Sequence, residues 1–150
     1  MWKSIVCGVD SRPGNVESLR VAARLAREQS ASLVLLHVEE SGGESLLASP
    51  VVRAGAVAEV QAARWAALAS DLRGERVRCE MATGDPADAI VEFARKSGCD
   101  LIVVGSHART RAALALTSVV GKLLAHARCP VVVVPSGMED WQSDFPGQVA

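Results

Sequence analysis

The chain has 150 residues, of which 49% are hydrophobic and 22% charged, with a formal net charge of −1. That suits one domain with a sizeable core and excludes a disordered chain. The interleaved charges leave no basic stripe for a nucleic-acid backbone, no apolar run could span a bilayer, and the N-terminal MWKSIVCGVD lacks the build of a signal peptide, so a cytoplasmic protein without nucleic-acid or membrane partners is expected.

Lys3 to Asp10 reads as a short strand whose beta formers are Ile5, Val6 and Val9. It runs into the turn-rich Asp10-Ser11-Arg12-Pro13-Gly14-Asn15. Beyond Asn15, a candidate N-cap, Val16, Leu19, Ala22, Ala23 and Ala26 share one side of a helix, and Glu17, Arg20, Arg24, Arg27 and Glu28 share the other. Ser32 to Val38, SLVLLHV, is nearly continuous apolar sequence, as in a strand covered on both faces of a parallel sheet. A polar connection follows. A second helix spans roughly 51–72, with Val51, Ala54, Ala58, Trp65, Leu68 and Leu72 at helical spacing and Gly74 closing it.

Residues 75–81 alternate, with Val77, Cys79 and Met81 set against Arg76, Arg78 and Glu80. Alternation of this kind wets one face and places the strand at a sheet edge. Thr83-Gly84-Asp85-Pro86 is a helix start: Asp85 can cap, Pro86 fits the first helical position, and Asp88 suits the positive end. Ala87, Ile90 and Ala94 face inward along this helix, and Gly98 ends it. Leu101 to Val104 is a fourth strand running into a Gly-Ser-His turn, and the last helix, about 118–127, turns Val120, Leu123, Leu124 and Ala127 inward. A fifth strand, Val131 to Val134, lies between prolines, and a polar tail from Ser136 to Ala150 carries Trp141 and Phe145.

Strands and helices therefore alternate throughout. Regular alternation implies a parallel sheet with right-handed crossovers and helices on both faces. The domain covers residues 1–135, with 136–150 as a C-terminal tail. Cys7, Cys79, Cys99 and Cys129 are scattered, without a C-x-x-C, and read as small reduced hydrophobes, with a disulfide or metal site as the alternative. His37, His107 and His126 show no metal-ligand spacing.

Gly84-Asp85-Pro86, the run from Asp100 to His107, and His126-Ala127-Arg128-Cys129-Pro130-Val131 together resemble the universal stress protein family, and Val9-Asp10 and Leu36-His37-Val38 agree with it. The resemblance implies a Rossmann-like open sheet of five parallel strands in the order 3-2-1-4-5. Ligands of such sheets sit beyond the strand C-termini, where the order reverses between strands 1 and 4. Some members bind ATP, with magnesium, through Gly, two residues, Gly, nine residues, then Gly followed by Ser or Thr. Glycines there let the backbone approach phosphate oxygens, and the hydroxyl and helix N-terminus supply donors.

Carried onto this chain, Gly105 matches the first glycine, Ser106 and His107 fill the spacer, and Ala108 and Thr117 stand where glycines belong. Eight residues rather than nine separate them, and Ser118, followed by Val119, keeps the hydroxyl. Asp10 and Val38 match the nucleoside-contacting positions, and Arg109 and Arg111 are near enough to meet phosphates. Bland alternatives stand beside these roles: a helix N-cap at Thr117-Ser118, a solvated loop at His107, Arg109 and Arg111, and a turn cap at Asp10.

Two functions follow. The first is a dimeric stress-response or signalling module acting through protein contacts, with an altered ATP loop and loop hydroxyls open to phosphorylation. The alternative is an ATP-binding member that uses nucleotide as a switch, with at most slow hydrolysis or autophosphorylation. No residue is an evident general base beside a phosphate. The valine strand is an uncharged edge that invites pairing, and many members dimerise there, so a homodimer through Val131–Val134 is expected.

Overall fold

Successive side chains of a strand point to opposite faces, and the central strands of this chain are apolar on both. One layer must therefore cover each face. The computed structural model describes residues 1–9, 16–39, 76–106 and 118–135. It contains β1 (Ser4–Val9), α1 (Val16–Gln29), β2 (Ser32–Glu39), β3 (Val77–Thr83), α2 (Pro86–Ser97), β4 (Leu101–Ser106), α3 (Val119–His126) and β5 (Val131–Pro135). The five strands are ordered β3-β2-β1-β4-β5, and every neighbouring pair is parallel. The α/β fold and strand order match the expectation. The helix expected over 51–72 lies outside the described residues.

Two cores sandwich the sheet. On one face, Leu19, Ala22, Ala23 and Ala26 of α1 pack on Ile5, Cys7, Leu33, Leu35, Leu101 and Val103. On the other, Ala87, Ile90 and Ala94 of α2 join Val120 and Leu123 of α3 over Val6, Val34, Leu36, Ile102 and Val104. Gly8 lets α2 come down onto β1. A Cβ there would stand 3.0 Å from Cδ1 of Ile90 and 3.2 Å from Cγ1 of Val104.

The caps form as the sequence predicts. Asp85 accepts from the amides of Ala87 and Asp88 at 3.1 and 3.2 Å, with Pro86 opening α2. Gly98 ends α2 at φ 65°, the left-handed region in which glycine carries no steric penalty. At the strands' N-terminal end, the Asp100 carboxylate accepts from the backbone amides of Lys3 at 2.9 Å and Ser4 at 3.1 Å. The Asp100 amide donates to the Ser4 carbonyl at 2.9 Å.

Four expectations change. Gly105 and Ser106 are not a turn: both belong to β4, opposite Val134 and Pro135. Leu124 is 62% exposed rather than inward, because Val120, Leu123 and Ala127 form the stripe that meets the sheet and Leu124 falls on the flank beyond it. Cys79 and Met81, expected on the covered face of β3, are exposed. Glu17, expected on the water side of α1, is 8% exposed, and its Oε2 has no hydrogen-bond partner among the described residues. Periodicity tells which side of a helix meets the sheet, and not what else packs on its first turn.

Candidate functional site

The C-terminal ends of β1 and β4 are the place to look, because there the strand order reverses and successive crossovers leave to opposite faces. α1 follows β1 on one face, and α3 follows β4 on the other. The ladder between these two strands runs only from Ile5↔Leu101 to Cys7↔Val103. Each strand then continues with its outer neighbour. β1 stays paired with β2 as far as Val9↔His37, and β4 with β5 as far as Ser106↔Pro135. The sheet thus parts at its middle, on the side where a ligand of such a sheet would enter.

Side chains fix the two lips of this parting. His37 is buried, and its Nδ1 lies 3.3 Å from the Val9 carbonyl oxygen. That contact ties the last residue of β1 to β2. Ser106, the last residue of β4, is 6% exposed. Val38 sits beside His37 on β2, opposite Ala82 of β3, with its side chain toward the α2 face.

Ser118 is the N-cap of α3. Its Oγ accepts from the Gly121 amide at 3.1 Å, and its carbonyl accepts from the Lys122 amide at 3.0 Å. Val119, the first residue of the helix, is 37% exposed. The capping role read from the sequence is therefore realised. Of the other candidate residues, Val38, Gly105 and Ser106 are placed at strand ends, whereas Asp10, His107, Ala108 and Thr117 lie outside the described residues, as do Arg109 and Arg111.

One participant in the rim escaped the sequence reading. Lys122 Nζ lies 2.6 Å from Oδ2 of Asp85, joining the first turn of α3 to the cap of α2. The hydrogen bond from Lys122 is the largest cause holding the Asp85 carboxyl below its ordinary range, ahead of the Asp88 amide, and Asp85 in turn raises the Lys122 ammonium. A cation in a first turn opposes the helix dipole. That oddity was the available signal, since such a lysine gains from an acidic neighbour. The pair draws Gly84-Asp85-Pro86, at the exit of β3, toward the helix that Ser118 caps.

Among the described residues no group of three or more His, Cys, Asp or Glu could hold a metal, and no helix is long and apolar enough to cross a membrane.

Comparison with known proteins bears on this arrangement. A model of the universal stress protein family matches residues 1–135. Universal stress protein MJ0531 of Methanocaldococcus jannaschii is 29% identical over 144 residues, covering 89% of this chain and 82% of that one. Among solved structures, a universal stress protein in complex with cAMP superposes with a TM-score of 0.73 at 21% identity, over 89% of this chain and 97% of the other. The universal stress protein from Archaeoglobus fulgidus in complex with dAMP superposes with a TM-score of 0.67 at 21% identity, over 89% and 98% of the two chains.

Proposed function

The chain belongs to the universal stress protein family, and from that premise we propose that it is a nucleotide-responsive module that takes an adenine nucleotide in the parting between β1 and β4. The observation that carries this reading is the early end of the β1–β4 ladder at Cys7↔Val103 while both strands run on. The nucleoside goes to the side of Asp10 and Val38, and the phosphate to Gly105, Ser106, His107, Ala108, Thr117, Ser118 and Val119.

The departures from the ATP pattern fall on the phosphate side. Ala108 and Thr117 replace glycines, and a β-branched residue disfavours positive φ. Ser118 Oγ accepts from the Gly121 amide, which leaves its O–H to donate to one phosphate oxygen. Of the first-turn amides that a helix leaves unpaired, those of Val119 and Val120 suit one phosphate group. The grip on a β,γ-diphosphate with magnesium is correspondingly weaker than the grip on a single phosphate. Two related structures, a universal stress protein with cAMP and one with dAMP, carry nucleotides with one phosphate each. A nucleotide with one phosphate is thus the favoured ligand, and ATP with magnesium the weaker one.

The output side of the module is the β5 edge. Val131, Val132 and Val133 are half-buried, and β5 has a strand partner only on its β4 side among the described residues. Pairing of two β5 edges makes the homodimer through which protein contacts respond.

Calorimetric titration of nucleotide-free protein tests the ligand. AMP is expected to bind more tightly than ATP with magnesium. Ser118→Ala should weaken AMP by roughly tenfold, the loss of one hydrogen bond to a charged group, and Asp10→Ala should weaken both nucleotides alike. Absence of heat and of any thermal shift with millimolar AMP and ATP would remove the nucleotide and leave a module that works by protein contacts alone.

A further inference from the structure

The four cysteines differ in setting. Cys7 is fully buried in β1, and burial pushes its thiol up to about 12 against a hydrogen bond with Ser18. Cys79 is exposed on the edge strand β3. Cys99 and Cys129 stand together at the foot of β4 and β5, at the end of the sheet away from the parted strands. Cys99 is buried and Cys129 half-buried, and both are free thiols.

The paired strands β4 and β5 begin just beyond these two. β4 and β5 pair from Ile102↔Val131, and just below, the Ile102 amide donates to the Pro130 carbonyl at 3.0 Å. Cys99 precedes β4 by two residues and Cys129 precedes β5 by two, so each stands at the entry of one of two paired strands. Neighbouring strands run ~4.8 Å apart, a spacing within the Cα separations that a disulfide spans. Both side chains pack into the same core on the α2 and α3 face, so the sulfurs stand on one side of the sheet. The Ser4 hydroxyl donates to Sγ of Cys99 at 3.5 Å and holds that sulfur in place.

We propose that Cys99 and Cys129 are a reversible thiol–disulfide pair, oxidised by a peroxide, whose closure joins the feet of β4 and the edge strand β5. Cys129, the more exposed, meets the oxidant. Its thiolate attacks one peroxide oxygen, the O–O bond breaks, and hydroxide leaves and is protonated to water, so the sulfur becomes a sulfenic acid. The Cys99 sulfur then attacks that sulfur, loses its proton, and a second water leaves as the S–O bond breaks. Two thiols and one peroxide give one disulfide and two waters, and a dithiol reductant reverses the change. Burial, with Cys99 and Asp100 adding to it, raises the Cys129 thiol. Thiolate is therefore scarce at neutral pH, and closure quickens as pH rises. The pair needs no nucleotide, so its fate is independent of the ligand assigned above.

Hydrogen peroxide applied to the full, reduced, folded chain, followed by alkylation, digestion and mass spectrometry, tests the pair. The expected product is a peptide linked between Cys99 and Cys129, with a mass loss of about 2 Da in the intact chain that dithiothreitol restores. Cys79→Ser should keep the link and Cys129→Ser should abolish it. Oxidation in denaturant should instead give mixed pairs that include Cys7 and Cys79. Failure of the native chain to form the link, with Cys129 passing to sulfinic acid or joining Cys79 of another chain, would overturn the proposal. So would a native pattern no different from the denatured one. Neither comparison depends on whether the Cys129→Ser variant folds.

Discussion

Gly8 shows how much a single residue controls. Its missing side chain admits Ile90, and a Cβ would meet Cδ1 of Ile90 at 3.0 Å and Cγ1 of Val104 at 3.2 Å. The Ile90 contact is the end of a flexible side chain, whereas the β-branched Val104 is stiff. Gly8→Val is therefore expected to destabilise by about 1–3 kcal/mol in urea unfolding. Adding Ile90→Val, which deletes the nearer atom, should recover part of that loss in a double-mutant cycle. Asp100 is the electrostatic counterpart. Burial raises its carboxyl, but the amides of Lys3 and Ser4 outweigh that and leave it below the ordinary 3.8. A lowered folded value means that its stabilisation is complete above pH 4 or so and is lost as pH falls through the folded value. The gap in unfolding free energy between the native chain and Asp100→Asn should thus be constant from about pH 7 to pH 5 and narrow as pH falls below the ordinary carboxylate value. An unchanged gap at pH 2 would deny Asp100 that role. None of this was legible in a strand reading of LIVV or SIVCGV, because a tertiary close approach and a cap spanning 97 positions leave no local trace.

At the scale of elements, α2 was the most legible part of the chain. Its Asp85-Pro86 start, its inward Ala87, Ile90 and Ala94, and its Gly98 stop are local signals, and the structure uses all of them. Gly98 illustrates why. A Cβ there would meet nothing within 4 Å, so only the backbone, at φ 65°, selects glycine. Gly98→Ala should accordingly cost roughly 1 kcal/mol with no change in the packing of α2, read by thermal unfolding and by unchanged near-ultraviolet dichroism. α3 was read less well. Four apolar positions were assigned inward, yet a helix of eight residues beside the last strand has only one flank to bury, and Leu124 is left outside. β4 was read too short, because a glycine and a serine look like a turn while Val134 and Pro135 alongside keep them in the sheet.

Over the whole molecule, the strand order was available only through the family resemblance, since alternation of elements fixes parallel pairing and not which strand lies outside. The edge character of β3 was the exception, visible in its alternation. The parting of β1 from β4 was not visible at all. Apolar sequence continues through Val9 and Val104, while in the structure each strand runs on with its outer neighbour, β1 with β2 and β4 with β5. The half-buried valines of β5 bear on the assembled state. Val132→Lys is expected to shift the chain from dimer to monomer in sedimentation at micromolar concentration, because two such charges would face each other across a paired edge. Sedimentation as a monomer before the change, or as a dimer after it, would rule out this edge as the contact.

The bonds from Asp100 to Lys3 and Ser4 also set an order of events in time. β1 is the centre of the sheet, but its partner on one side, β4, begins only at Leu101. A ribosome adding about 5–20 residues per second leaves β1, α1 and β2 waiting for several seconds with the inner edge of β1 unpaired. Unlike a protein whose neighbours in space are neighbours in sequence, this one completes its middle only after Leu101 has been made. Its first strand is shielded from other chains only once residues from the far half of the sequence have arrived.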